Sequence, residues 1–260
     1  QYDPLKGGNK LVKDVAPLIA IPTTSGTGSE ASVGFVISMS DGRKLTFANP
    51  KFLPRLAICD PELTLGLPPM LTAATGMDAI THCIEAVLAT PANPPAEGIG
   101  LDGLWRGWRH IKRAVDNGSD RTARWEMMMA STEGALAFVK GLGAVHSMSH
   151  AAGRIKELRL HHGTLNAVIL PTILRFNEEA CLDAYPRLRQ AMGLAANADL
   201  AKAVEQLNAD LGLPRGLSEM GLTEELIEDM VPHAISDLAT MTNPKKVSAK
   251  DFADLYRQAM

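Results

Sequence analysis

The stretch Gly76-Met-Asp-Ala-Ile-Thr-His82 lies within a longer segment, residues 71 to 89, in which Ala, Ile, Leu, Met and Glu are frequent. This composition predicts a helix, so Asp78 and His82, at positions i and i+4, share one helix face. At that spacing a carboxylate and an imidazole can bind the same divalent ion. A single Asp–His pair at this spacing, however, more often contains a hydrogen-bonded core histidine than a metal ligand.

The histidines are concentrated in one part of the chain, where His146-Ser-Met-Ser-His150 repeats the i,i+4 spacing in a second predicted helix, residues 145 to 158. His161-His162-Gly163 follows that helix. Buried imidazoles and carboxylates need polar partners, so two such pairs among apolar residues favour a shared site. One Asp and three His side chains would suit Fe²⁺ or Zn²⁺, whereas Mg²⁺ and Ca²⁺ prefer more oxygen ligands.

Polar residues near these pairs have other predicted roles. Glu85, one further turn along from His82, is predicted to accept a hydrogen bond from a ligand or to lie on the surface, rather than to be a fifth ligand. His110 and His233 lie in charged helical segments and are predicted to face solvent. On a helix the side chain of Cys83 points about 100° away from that of His82, which favours a small buried thiol over a shared metal site.

The composition excludes several classes of protein. The chain has 260 residues with 26 basic and 29 acidic side chains, so it lacks the basic excess typical of nucleic-acid binding. Hydrophobic residues make up 46% and charged residues 21%, which indicates a globular protein. No segment approaches the roughly 18 apolar residues of a membrane span. Three cysteines without a Cys-x-x-Cys pair favour a reducing compartment, and we expect a cytoplasmic protein.

A loop of small residues forms a second candidate site. Thr23-Thr-Ser-Gly-Thr-Gly-Ser-Glu30 follows a short apolar run, residues 17 to 22, that predicts a buried strand. Glycines and small side chains let backbone N–H groups approach a phosphate or ribose closely. The loop matches neither a Gly-x-Gly-x-x-Gly turn nor a Walker loop with lysine, so a plain turn is an equally good interpretation.

The chain divides into two parts that differ in predicted secondary structure. Residues 1 to 65 indicate a small α/β domain, with a hairpin around Asp41-Gly42 and a further apolar segment at 53 to 60. Residues 66 to 260 indicate an all-helical domain. Turns are expected within it at residues 90 to 97 and 116 to 119. The helices expected are 71–89, 101–115, 124–138, 145–158, 164–177, 200–211 and 223–238. Ser248-Ala-Lys-Asp251 predicts a capping box at the start of a last helix.

Taken together, these segments resemble the iron-activated, group III alcohol dehydrogenases. The resemblance is carried, in the family's order, by residues 19–30, 60–69, 74–86, 143–153 and 162–171, and by the tail Asn243-Pro-Lys-Lys-Val-Ser248. It implies the dehydroquinate synthase-like fold of that family: a Rossmann-like domain, here N-terminally truncated to an α/β remnant, and a C-terminal all-α domain with the active site between them. It also implies a homodimer as the common assembly.

The resemblance assigns roles to particular residues. It implies Asp78, His82, His146 and His162 as metal ligands and His150 as the catalytic histidine near the nicotinamide. It implies cofactor-binding roles for a further group: Thr23, Thr24, Thr27, Gly28, Lys44 and Leu63. The cofactors implied are Fe²⁺ or Zn²⁺ and NAD or NADP.

Two features depart from the family pattern. The interval between His150 and His162 is longer by two residues than usual, and the anchor His162-Gly-x-x-Asn favours His162 over His161 as the ligand. The family's glycine-rich pyrophosphate turn is absent, and Gly7-Gly8-Asn9 has no preceding strand that would make it a substitute. We therefore expect a chain that lacks the first half of the cofactor domain and exposes open strand edges.

The resulting hypothesis is a metal-dependent, NAD(P)-linked alcohol dehydrogenase or aldehyde reductase that transfers hydride between a small alcohol and nicotinamide. One alternative is a catalytically incomplete metal-binding fragment of such an enzyme. Another is a relative acting on glycerol-type or maleylacetate-type substrates; the latter type needs no metal, and the full ligand set argues against it.

Overall fold

The computed structural model describes residues 14–39 and 44–260. Four short strands come first, and nine α-helices follow within the described residues. Strand β1 (Ile19–Ala20) pairs in parallel with β4 (Leu56–Ala57), and β2 (Gly34–Ser38) pairs antiparallel with β3 (Lys44–Ala48). The hairpin expected around positions 41 and 42 is therefore present, although its turn lies outside the described residues.

The strand expected over residues 17 to 22 is shorter than predicted. Only Ile19 and Ala20 form β1, because the flanking Pro17 and Pro22 have no N–H to donate to a ladder. Ile19 is also 57% exposed, so the prediction of a buried strand was wrong. Phe35 of β2 stacks on Phe47 of β3 with ring centroids 5.5 Å apart, and this pair supports the hairpin.

The helical part is built around one central helix, α1 (Pro69–Leu88). Every residue of α1 from Thr72 to Leu88 is buried, as expected for a helix surrounded by others. The remaining helices are α2 (Pro94–Asp116), α3 (Arg121–Ala137), α4 (Ala144–Ala152), α5 (His162–Asn177), α6 (Ala184–Met192), α7 (Leu200–Asp210), α8 (Ile227–Ser236) and α9 (Ala249–Gln258). Helices α2, α3 and α5 pack on α1, and α4 packs between α5 and α8.

Several helix ends differ from the predicted ones. The turn expected at 90 to 97 is present but shorter than predicted, because the Asn93 side chain caps α2 and Pro94 is its first residue, a position where the missing N–H costs nothing. The helix expected to reach residue 158 ends at Ala152, and a separate 3₁₀ helix covers Lys156–Leu158. The capping box of α9 is present. Helix α6 was not predicted.

The buried thiol expected at Cys83 is present, with the side chain fully buried and its Sγ 3.7 Å from the Ala130 carbonyl oxygen. Gly103 of α2 lies against it, and a Cβ at that position would come within 2.8 Å of the Cys83 Sγ. This close approach sets the spacing of α1 and α2. None of the described helices is both long enough and apolar enough to cross a membrane.

Candidate active site

The buried face of α1 presents Asp78 and His82 towards α4 and α5. Both side chains are almost fully buried, and the His82 Nε2 lies 3.8 Å from the Asp78 Oδ1. The predicted i,i+4 pairing on one helix face is therefore present. The Nδ1 of His82 is buried and has no hydrogen-bond partner among the described residues.

Two further imidazoles face the same carboxylate oxygen. The Nε2 of His146 on α4 lies 3.8 Å from the Asp78 Oδ1, and the Nε2 of His162 lies 3.6 Å from it. Asp78, His146 and His162 offer ligand atoms that all lie within 4.8 Å of one another. His82 joins this group through Asp78 and through its ring, which stacks on His146 at a centroid distance of 4.7 Å.

Helix α5 begins at His162, two residues before its predicted start. The His161 carbonyl oxygen accepts a hydrogen bond from the Leu165 N–H, so α5 begins at His162. At the next position, a Cβ on Gly163 would come within 2.1 Å of the Ala74 carbonyl oxygen. Glycine therefore lets the start of α5 touch α1, and this contact brings His162 beside Asp78. His161 is exposed and lies outside the cluster.

Glu85 supports His146 from behind. Its carboxylate accepts hydrogen bonds from the backbone N–H groups of Val145 and His146, at 2.8 and 3.3 Å, and so caps the start of α4. Its Oε2 also lies 2.5 Å from the His146 Nδ1. Glu85 was predicted either to accept a hydrogen bond from a metal ligand or to lie on the surface, and in the structure it is the buried acceptor. When Glu85 is ionised, the His146 Nδ1 donates to it and the lone pair of the His146 Nε2 faces Asp78.

The electrostatics of the site follow from its burial. Burial opposes the charged form of Asp78, but His82, His162 and a hydrogen bond from Asn166 outweigh it and lower the pKa of Asp78. Burial lowers the pKa of His146 well below its usual value, and the neighbouring imidazoles act in the same direction. Burial also raises the pKa of Glu85 to about 8. The cluster therefore holds a carboxylate facing a neutral His146 imidazole.

Asn166 was not identified as a site residue from the sequence. It lies one turn after His162, and its Nδ2 donates to the Asp78 Oδ1 at 2.7 Å. The same Nδ2 lies 3.1 Å from the His162 Nε2 and 3.3 Å from the His146 Nε2. The available signals were its i+4 spacing from His162 and its place in the anchor His162-Gly-x-x-Asn. The amide group therefore lies at the point on which the Asp78 oxygen and the two imidazole nitrogens converge.

The donor set fits a divalent transition metal. Zinc bonds of about 2.1 Å at tetrahedral angles would separate ligand atoms by about 3.4 Å. The separations of 3.6 to 3.8 Å between the Asp78 Oδ1 and the three imidazole Nε2 atoms are close to that value. His82 is not among the three residues whose ligand atoms all lie within 4.8 Å of one another, so its ring would have to move closer to act as the fourth ligand. Imidazole nitrogen and carboxylate oxygen are ligands that suit Fe²⁺ and Zn²⁺.

His150 lies beside this cluster rather than in it. Its ring stacks on His162 at a centroid distance of 5.1 Å and meets the His146 ring edge-on at 5.7 Å. Its Nδ1 lies 2.9 Å from the Asp237 Oδ2, and the side chain is 27% exposed. His110 is half-buried, with its Nδ1 bonded to the Arg106 carbonyl oxygen, whereas His233 is exposed as predicted.

The small-residue loop packs against α3. Gly28 has φ of 61°, and a Cβ there would come within 2.3 Å of the Ala135 Cβ. Just beyond it, the buried Glu30 accepts a hydrogen bond from Thr132 of α3 at 2.9 Å. These contacts fix the loop while Thr23 and Thr27 stay exposed.

The other residues predicted to touch the cofactor are Thr24 within the loop, and Leu63 and Lys44 outside it. Thr24 is half-buried, and Leu63 is 47% exposed within the 3₁₀ helix Pro61–Thr64. Lys44 is the first residue of β3, and the position of its side chain lies outside the described part of the structure.

Two family models together match almost the whole of this chain. Residues 72–260 match the model of the "Fe-containing alcohol dehydrogenase family, C-terminal", and residues 2–61 match that of "Iron-containing alcohol dehydrogenase". The chain belongs to the iron-containing alcohol dehydrogenase family. Members of this family are oxidoreductases that act on CH–OH groups, with a metal ion and NAD(H) as the cofactors of the class.

Named relatives support the same membership. The chain is 54% identical, over its full length, to 4-hydroxybutyrate dehydrogenase of Cupriavidus necator and covers 70% of that protein. It is 37% identical to NAD-dependent methanol dehydrogenase of Bacillus methanolicus, with 98% of this chain and 69% of the relative covered. A crystal structure of 1,3-propanediol oxidoreductase superposes with a TM-score of 0.91 at 33% identity, covering 96% of this chain and 67% of that one. Across matched relatives the chain spans 62% to 70% of their length.

Proposed function

We propose that this protein is a metal-dependent, NAD(P)-linked alcohol dehydrogenase, and an aldehyde reductase in reverse, with Asp78, His82, His146 and His162 as metal ligands. One observation carries the proposal: the Asp78 Oδ1 has three imidazole Nε2 atoms within 3.8 Å. When bound, the metal ion supplies Lewis acidity towards an alcohol or carbonyl oxygen, and the nicotinamide accepts or supplies the hydride.

The protein's own part is to hold these donors in place. Three helices meet at Asp78, and ionised Glu85 would fix His146 in the tautomer whose Nε2 can donate its lone pair to the metal ion. The Asn166 amide holds the Asp78 Oδ1 at 2.7 Å and limits its rotation. Phe138 lies edge-on to the His82 ring at 5.1 Å and forms an apolar wall on that side. Such preorganisation matters because hydride transfer needs near-contact geometry.

His150 is proposed to move the substrate proton. It touches the His162 ring on one side and is partly exposed on the other, so it can take a proton from a hydroxyl near the cluster and release it to solvent. Imidazole suits this role because it titrates near neutral pH.

The nicotinamide cofactor is proposed to bind at the small-residue loop, through Thr23, Thr24, Thr27 and Gly28, with Leu63 and Lys44 as further contacts. The exposed threonines of a loop that is fixed on α3 support this assignment. The division into a partial cofactor domain, residues 1–65, and a metal-binding domain, residues 66–260, is part of the same proposal.

For the substrate, a small alcohol or its aldehyde, we propose 4-hydroxybutyrate as the first compound to test, because the relative with that activity shares 54% identity with this chain. The matched comparison is 1-butanol, which has the same carbon chain without the carboxylate. A higher kcat/KM for 4-hydroxybutyrate supports a hydroxy-acid substrate, and a higher kcat/KM for 1-butanol contradicts it. Glycerol and maleylacetate test the two other substrate types. A cytoplasmic homodimer is the proposed state of the enzyme.

The experiment that tests the proposed function measures metal content and NAD(H) or NADP(H) binding together. We expect one Fe²⁺ or Zn²⁺ per chain, measurable cofactor binding and alcohol-dependent reduction of NAD or NADP. Stoichiometric metal without cofactor binding would instead support a catalytically incomplete metal-binding fragment. A chain that is loaded with the ion and retains none of it after dialysis would contradict the ligand assignment.

A further inference from the structure

Asp237 brings a second carboxylate to the edge of the candidate active site. It lies directly after α8 and has extended backbone, with φ of −70° and ψ of 141°, before the 3₁₀ helix Leu238–Thr242. It is 87 residues from His150 in sequence, so nothing local in the chain pairs the two. We propose that Asp237 is a positioning residue that holds His150 in the tautomer and orientation needed for proton transfer. This inference rests on the proposed function of His150.

The two carboxylate oxygens of Asp237 have separate partners. The Oδ1 accepts a hydrogen bond from the Ala239 N–H at 2.9 Å and caps the 3₁₀ helix. The Oδ2 lies 2.9 Å from the His150 Nδ1. Because the backbone holds one oxygen, the carboxylate cannot rotate freely, and its other oxygen stays directed at the imidazole.

A second contact braces the same two segments. The Thr240 hydroxyl lies 2.6 Å from the Ser147 Oγ of α4 and 2.7 Å from the Ala234 carbonyl oxygen of α8. The segment that carries Asp237 is therefore tied to the helix that carries His150 at a point separate from the ion pair. This brace makes the distance between Asp237 and His150 a property of the fold.

The pairing has a defined chemical consequence. An ionised carboxylate only accepts hydrogen bonds, so the His150 Nδ1 carries the proton and the Nε2 carries a lone pair. In alcohol oxidation the substrate O–H bond would break and an N–H bond would form at the His150 Nε2. A bound nicotinamide would supply the acceptor for the hydride of the carbinol C–H bond. The imidazolium that results lies against the Asp237 carboxylate, which stabilises it until the Nε2 proton passes to solvent.

The test is Asp237→Asn, which keeps an oxygen for the Ala239 N–H but turns an amide N–H donor towards the His150 Nδ1. The imidazole must then adopt the Nε2–H tautomer or turn away, and either change removes the proton acceptor. We expect kcat to fall about 100-fold, within the range of general acid–base catalysis, with KM and zinc content unchanged. Nitrogen-15 spectra of histidine-labelled, zinc-loaded protein should show the Nδ1–H tautomer of His150 in the wild type and its loss in the variant.

Two further variants separate positioning from a structural role. Asp237→Ser keeps a capping oxygen without a partner for His150, and it should also lose kcat while its Tm stays near that of the wild type. Asp199→Asn is the matched control, since Asp199 caps α7 through the Lys202 N–H, and it should leave kcat unchanged. In a His150→Ala background, Asp237→Asn should have almost no further effect.

Several results would overturn the inference. They are an Nε2–H tautomer of His150 in the wild type, an unchanged kcat in Asp237→Asn, or an equal loss with and without His150. The spectra do not depend on turnover. A protein that oxidises no alcohol would remove the proposed function, yet its tautomer would still report on the pairing of Asp237 with His150.

Discussion

The strand region, residues 14 to 65, and the helical region, residues 69 to 260, bury their apolar side chains to very different extents. In the helical region α1 is buried along almost its whole length. In the strand region a series of large apolar residues is exposed by 40% to 57%: Leu18, Ile19, Ile21, Phe35, Val36, Ile37, Leu53, Leu56 and Ile58. The candidate metal ligands all belong to the helical region, whereas most of the predicted cofactor contacts belong to the strand region.

This difference has a physical meaning for the two binding functions. A set of donors fixed by packed helices needs little reorganisation to bind an ion. A cofactor site on two-stranded sheets with exposed apolar faces depends on far fewer contacts, because isolated two-stranded sheets are marginally stable. We therefore expect metal retention and cofactor binding to respond separately to mutation.

The largest expected effect is loss of the metal in His146→Ala. A tetrahedral site that loses one imidazole cannot easily replace it, so metal affinity should fall at least about 100-fold. Metal analysis after dialysis measures the loss. His161→Ala is the matched control, since His161 is exposed and outside the cluster, and its metal content should be nearly unchanged. If His161→Ala loses the metal and His162→Ala retains it, then His161 is the ligand and His162 is not.

A smaller effect on the metal is expected for Glu85→Gln. The substitution keeps the shape of the side chain but removes the carboxylate that accepts from the His146 Nδ1 and from the start of α4. Loss of such a supporting acceptor typically weakens metal binding about 10- to 100-fold. Competition with a chelator of known affinity measures the change. An unchanged affinity would show that the packing of α4 alone holds His146.

Gly28→Ala should affect the strand region alone. The added Cβ would come within 2.3 Å of the Ala135 Cβ, and φ of 61° is unfavourable for alanine, so the loop must shift. We expect NAD(H) affinity to fall about 10-fold while metal content stays at the wild-type level. Titration of nucleotide fluorescence and metal analysis on the same sample give both numbers. A parallel loss of metal would contradict the separation of the two regions.

The smallest effect concerns stability and pH in Glu133→Gln. Burial raises the pKa of Glu133 from 4.5 to about 7, so the folded protein retains a proton that the unfolded chain releases as pH rises from about 4.5 to 7. The wild type should therefore lose stability across that range, by about 1 kcal/mol after allowance for solvent screening. The variant lacks this contribution, so its loss of stability between pH 5 and pH 8, measured by urea unfolding, should be smaller by about that amount. Equal slopes in both proteins would contradict the pKa assignment.

The sequence identified the parts of the site that repeat at helical spacing. The pairs Asp78–His82 and His146–His150 followed from the i,i+4 rule, and the choice of His162 over His161 followed from the family anchor; the structure has His162 in the cluster and His161 outside it. Asn166 was within reach of the same rule and was overlooked.

Other features of the site had no local signal. The pairing of Asp237 with His150 depends on how α8 packs against α4, which no spacing in the sequence encodes. The contact of Gly163 with the Ala74 carbonyl depends in the same way on the meeting of two helices. Strand lengths were overestimated because apolar runs between prolines were taken as fully paired segments.

The most direct test of the metal centre is X-ray absorption spectroscopy of the protein loaded with one equivalent of Zn²⁺ or Fe²⁺. We predict an inner shell of nitrogen and oxygen at about 2.1 Å, with the outer-shell scattering of three imidazole rings. His146→Ala should remove one ring from that pattern or abolish binding. A shell made of water oxygens alone, with no imidazole scattering, would contradict the assignment of Asp78, His82, His146 and His162 as ligands.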